Sequence, residues 1–190
     1  TCALPISRLF DENGGVLADW FHPLPAAGGT YCIDSREVRE RFGLEPFAGS
    51  LFIHALRVRG HDVVKYALDT FGADGMPVLS ATHDANAWPA DLYAGLPAPE
   101  AGERVVLWVQ NSHPIPIPAS AIGMNVMGSD QVAWHGDPIP AFGTRAIDTS
   151  TLLPEAAWPQ QIEIQAGRYF VRPRYEVFNT GQMRSRIAHA

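Results

Sequence analysis

The chain has 190 residues, 46% of them hydrophobic and 18% charged, and a formal net charge of −6. This balance fits a folded globular protein and excludes a disordered one, which is poorer in apolar residues and richer in charge. No apolar run reaches the ~18 residues of a helical membrane span, and no Lys/Arg cluster is dense enough to serve a nucleic-acid backbone. The partner classes that remain are a small ligand, another protein or a second copy of the chain.

With 17 Gly and 16 Pro, turns and short strands are favoured over long helices. Lys65 is the single lysine among many arginines, a bias that looks like GC-rich, bacterial coding and carries no functional weight. Residues 1–6 (Thr-Cys-Ala-Leu-Pro-Ile) resemble a translated sequencing adapter, and are left out of fold reasoning as a tag would be. Cys32 then stands alone in a strand-like run, 30–33. There it is expected to be a small buried hydrophobe rather than a nucleophile, since no helix N-terminus or base is readable beside it. Were Cys2 native, a Cys2–Cys32 disulfide is the other option.

Helical spacing occurs in residues 35–42, with Ser35 as the expected N-cap and Val38 and Phe42 one turn apart. Alternation predicts strands at 51–56, 63–68, 105–111 and 175–178, separated by Gly, Pro, Asn and Asp, the pattern of an all-β sandwich. Arg168, Arg172 and Arg174 alternate onto one strand face and read as a solvated ladder. Residues 87–102 concentrate Pro and Gly and are read as a linker with no regular element.

An internal repeat organises these elements. Residues 23–35 (Pro-Leu-Pro-Ala-Ala-Gly-Gly-Thr-Tyr-Cys-Ile-Asp-Ser) match 138–149 (Pro-Ile-Pro-Ala-Phe-Gly-Thr-Arg-Ala-Ile-Asp-Thr) with one deletion. Trp20 matches Trp134 upstream; 48–53 matches 166–171 and 81–83 matches 187–189 downstream. The expected fold is therefore all-β, with two tandem related β-sandwich domains. The first, 7–86, is read as having lost its opening strands; the linker follows at 87–102; the second occupies 103–190, with its last strand read as cut.

The second unit, through Ile139-Pro140-Ala141, Thr144 and the closing Ile187-Ala188-His189-Ala190, resembles the small β-sandwich proteins of the sensory-rhodopsin transducer family. In that family the closing run carries a tyrosine where His189 stands. The resemblance implies a non-enzymatic interaction or small-ligand module that oligomerises. It implies no rhodopsin partner, because a tandem arrangement departs from the family's single domain.

Two residue sets carry candidate chemistry. His83, Asp84, Asn86, Trp88 and Tyr93 combine stacking faces with hydrogen-bonding edges, as a small-ligand platform requires; the structural alternative is a linker packing Trp88 between two domains. His54, His61, Asp62, His83 and Asp84 offer imidazole and carboxylate donors to a divalent metal. Neighbours on a strand point to opposite faces, so a His-Asp pair gives one ligand unless it lies in a turn. Ser112-His113 lacks a nucleophile elbow, and no phosphate-cradling or dinucleotide glycine loop is present. No cofactor is required by these residues. The function expected is a non-enzymatic small-ligand or protein-interaction module, with a metal-dependent enzyme using loop His and Asp residues as the alternative.

Overall fold

A computed structural model describes residues 5–21, 29–55, 70–71, 75, 77–78, 80–81, 93–97, 99–126, 132–151, 160–164, 171–182 and 184–189. The elements run β1 (Pro5–Asp11), β2 (Val16–Phe21), α1 (Ser35–Phe42), β3 (Gly49–Ala55), β4 (Thr70–Phe71), β5 (Pro77–Val78), β6 (Ser80–Ala81), β7 (Tyr93–Leu96) and β8 (Glu103–Asn111). They continue with β9 (Ile122–Val126), β10 (Val132–Ala133), β11 (Thr144–Asp148), β12 (Gln160–Ile164), β13 (Val171–Asn179) and β14 (Arg184–His189). Single 3-10 turns occupy Ala119–Ala121 and Thr149–Thr151. The fold is all-β with one short helix.

Period-two alternation places β8. Val105, Leu107, Val109 and Asn111 point inward and are buried, as alternate strand positions must. Leu107 and Val109 share a core with Ile147 of β11, Ile122 of β9, Leu96 of β7, and Ile117 and Ile139, while Trp134 and Tyr175 pack against it. These residues come from two sheets, ordered β11-β8-β13-β14-β6 and β10-β9-β12-β7, which therefore face each other across one apolar layer. β7 falls inside the stretch read as a structureless linker. Antiparallel pairing with β12 makes it a strand, and complete burial of Leu96 holds it there.

The N-terminal part is thinner. β1 pairs with β2 and β3 in the order β2-β1-β3. Its buried cluster of Leu9, Ala18 and Trp20 packs, among the described residues, against Leu17, Ile33, Val38, Phe42 and Leu44. Pro5 and Ile6, from the adapter-like stretch, lie in β1, Ile6 in register with Phe21 and His54. β4 and β5 form a separate two-stranded pair, and β6 adds in parallel to β14.

Three local expectations are corrected. Residues 30–34 form no strand, and Cys32 is an exposed free thiol rather than a buried hydrophobe. The equivalent-looking 144–148 becomes a strand because β8 supplies its ladder partners, whereas 30–34 has no such partner among the described residues. The cap of α1 is Asp34, not Ser35: its Oδ1 accepts the Arg36 N–H at 2.7 Å. Asp148 treats Ser150 alike, at 3.0 Å, so the repeated Ile-Asp-Ser/Thr opens a helical turn at both places.

The Arg36 guanidinium and backbone N–H hold the Asp34 carboxyl below the ordinary carboxylate range. A lowered native pKa means the contribution is present above the unfolded aspartate value and lost as pH falls through the native one. Helical circular dichroism from α1 is therefore expected to fall as pH drops below the ordinary aspartate range, with an Asp34→Asn variant showing no such step. An identical acid transition in both proteins would refute this origin.

Candidate interaction surface

Of the two site constellations expected from sequence, one residue of each falls among the described residues. His54 lies on β3 opposite Ile6, and Tyr93 on β7 opposite Glu163 of β12. His61, Asp62, His83, Asp84, Asn86 and Trp88 lie outside the described residues, as do Arg168 and the expected strand 63–68. His54 and Tyr93 thus sit on strands of different sheets. Among the described residues no three His, Cys, Asp or Glu side chains gather at one point.

Exposed apolar surface collects instead on the N-terminal sheet and its flanks. Val16, Phe21, Tyr31, Phe47 and Leu51 are exposed, Phe21 by 62%, and outside this region only Ile115 joins them among the large described hydrophobics. Isolated exposed hydrophobics are ordinary; here they flank both faces of one small sheet, Phe21 on the face of Phe10 and Leu51 on the face of Leu9, which makes it the candidate contact region. The sheet's polar feature is the Arg8–Asp19 pair, with a 2.6 Å contact across β1 and β2. Both side chains are largely solvated, so the pair fixes register more than it stabilises.

β3 gives this surface its character. Its sequence, Gly-Ser-Leu-Phe-Ile-His-Ala, contains no Lys, Arg, Asp, Glu or Pro, the residues by which sheets usually guard an edge. On one side it pairs with β1 throughout, from Gly49 opposite Asp11 to Ala55 opposite Pro5. On its other side no strand pairs with it among the described residues.

A joint fixes the N-terminal sheet to the rest. Phe10 stacks on Phe142, with centroids 5.1 Å apart, and Phe52 meets both rings edge-on. The tip of the β1–β2 hairpin contributes the Glu12 carbonyl, which accepts from Thr144 N–H at 3.0 Å and from the Arg145 guanidinium at 2.8 Å. Behind the joint, buried Asn111 donates from Nδ2 to the carbonyls of Ile115 and Pro140 at 2.7 and 2.9 Å, and accepts the His113 N–H at 2.9 Å. Asn111 thereby sets the turn containing Ser112 and His113.

A second polar cluster crosses the five-stranded sheet. The Trp108 indole donates to Glu176 at 2.8 Å, Ser185 donates to the other carboxylate oxygen, and the Arg104 guanidinium lies over the Phe178 ring. Both Glu176 oxygens are engaged within the sheet, so the cluster ties β8, β13 and β14 together. Of these side chains, Asn111 was legible as the polar residue continuing the inward alternation of β8; Glu176 carried no comparable signal.

Comparison with known proteins returns no match: no protein-family model, no curated protein and no solved structure is similar to the chain.

Proposed function

We propose that the chain is a non-enzymatic interaction module made of two related β units in tandem, the first of which presents the binding surface. The observation that carries this reading is the strand register. In β1 and β2, Ser7, Arg8 and Leu9 lie opposite Trp20, Asp19 and Ala18. In β9 and β10, Gly123 and Met124 lie opposite Ala133 and Val132, and the Trp134 N–H donates to Ile122 at 2.8 Å. The two tryptophans thus take the same place in two hairpins, each followed by the Pro-x-Pro-Ala segment and the Asp-opened helical turn. Each hairpin's first strand also receives one later strand on its far side, β3 on β1 and β12 on β9. That pairing favours β12 over residues 166–171 as the counterpart of β3.

What differs is the covering layer. Across from β9 stand β8, β11 and β13; across from β1, among the described residues, stand α1 and the segments flanking it. A unit with one sheet and one short helix leaves apolar surface exposed, and burying it against a partner is favourable at about 25 cal/mol per Å². The resemblance to small oligomerising β-sandwich proteins agrees with a binding role.

The hydrophobic dye 1-anilinonaphthalene-8-sulfonate tests the surface. The folded chain is expected to enhance its emission, and Phe21→Glu with Leu51→Glu to abolish the enhancement while the circular dichroism spectrum is kept. Enhancement unchanged in the double variant refutes the surface. A stoichiometric divalent metal in the purified protein would replace this reading with the metal-dependent enzyme.

A further inference from the structure

The outer edge of β3 has a counterpart elsewhere in the chain, and that counterpart is occupied. Matching Ser7 with Ile122 and Leu9 with Met124, as the hairpin registers do, carries Ile53 onto Ile164 and Leu51 onto Ile162, their partners on β3 and β12. The far side of β12 holds β7, antiparallel, with Leu96 opposite Gln160, Ala94 opposite Ile162 and Tyr93 opposite Glu163. Leu96 from that added strand is completely buried in the core. On β3 the same positions are Gly49, Leu51 and Phe52.

We infer that the outer edge of β3 is a strand-acceptor site, which takes an extended, uncharged peptide segment of the Tyr-Ala-Gly-Leu type, added antiparallel as Tyr93–Leu96 is added to β12. The inference rests on the two-unit reading above. Main-chain ladder bonds supply affinity in such additions, and alternate side chains supply specificity. Here the incoming leucine stands opposite Gly49, which has no side chain of its own and carries the Phe47 ring beside it, and lies next to exposed Leu51. The small residue of the peptide faces Leu51. An edge free of charge and proline accepts such a strand without repulsion.

The segment following β3 is not the expected occupant. Its counterpart after β12 is β13, which joins the other sheet by pairing with β8. Among the described residues nothing pairs with the outer edge of β3. A second copy's Tyr93–Leu96 is already engaged on its own β12, so the peptide taken here is not β7 of another copy.

The probe is a fluorescein-labelled peptide of the sequence at 91–98 (Asp-Leu-Tyr-Ala-Gly-Leu-Pro-Ala), titrated into the full chain by anisotropy, with amide hydrogen exchange read over 49–55 and 160–164. Saturable binding is expected, with exchange of 49–55 slowed at least tenfold, 160–164 unchanged, and affinity reduced at least tenfold by Leu51→Lys. A scrambled peptide controls for composition. Four results overturn the site: no binding; protection at 160–164 instead; 49–55 already protected as strongly as 160–164 without peptide; or a peptide-independent dimer lost in Leu51→Lys. If the peptide fails while Phe21→Glu with Leu51→Glu still abolishes dye binding, the strand site falls and the interaction module stands.

Discussion

Asn111→Ala is expected to destabilise the protein by about 2 kcal/mol, because it removes a completely buried side chain that makes three hydrogen bonds to the turn after β8. The Asn111 side chain is the common partner of three backbone groups, the His113 N–H and the carbonyls of Ile115 and Pro140, and it is completely buried. Alanine satisfies none of them and admits no water without opening the turn. Each buried polar group left unpaired costs roughly 1–3 kcal/mol. Urea unfolding followed by tryptophan fluorescence measures the loss as a lower midpoint with an unchanged slope.

Asn111→Asp separates hydrogen-bond direction from shape. An ionised aspartate still accepts from His113 N–H, but turns lone pairs toward two carbonyl oxygens that the amide had supplied with donors. Surrounding acceptors and burial both raise its native pKa. The proton is then held more tightly in the native state, so the variant is expected to be least stable at neutral pH and to recover as pH falls through that raised value. Asn111→Ala shows no such recovery. Equal stability of the wild type and Asn111→Asp at neutral pH would remove Asn111 from its role as the organiser of the joint.

The difference between what was legible in sequence and what was not lies in the origin of each constraint. Alternation through Val105, Leu107 and Val109 is local and periodic, so β8 and its inward face are readable residue by residue. Val38 and Phe42, one turn apart, likewise report the face by which α1 covers Trp20. Residues 30–34 and 144–148 fail differently: they share Thr-x-x-Ile-Asp, and only the second has β8 beside it. Strand formation there is a property of the neighbour, which no local pattern contains. The same reason explains β7, whose Tyr-Ala-Gly-Leu reads as linker until β12 and the core claim it. The exposure of Phe21 and Leu51 likewise depends on which elements the topology places opposite β1, which no local pattern states. As for the candidate sites, alternation places His54 on a strand, whereas Tyr93 falls in the stretch that reads as linker and becomes part of β7 only through its pairing with β12.

Gly14→Ala is expected to release the N-terminal sheet from the rest of the molecule, and Gly43→Ala provides its control. Both glycines have positive φ, 82° at Gly14 and 62° at Gly43, where an L-residue costs about 1–2 kcal/mol. At Gly43, the cap of α1, a Cβ meets nothing within 4 Å, so that backbone cost is the whole effect. At Gly14 a Cβ would lie far inside contact distance of the Ala141 carbonyl oxygen. The oxygen belongs to the backbone and the Cβ is fixed to it, so neither yields by changing a rotamer. The hairpin tip must lift, and with it go the bonds of Thr144 and Arg145 to Glu12 and the stacking of Phe10 on Phe142. Losing two hydrogen bonds and an aromatic pair adds about 2–4 kcal/mol to the backbone cost. Amide exchange at Thr144, whose N–H is bound only across the joint in the contacts above, is therefore expected to accelerate at least tenfold in Gly14→Ala and to stay at the wild-type rate in Gly43→Ala. Limited proteolysis should give the same order, with the Gly14 variant cut first. Equal responses of the two variants would mean that positive φ alone matters, and that the hairpin tip does not hold the N-terminal sheet in place.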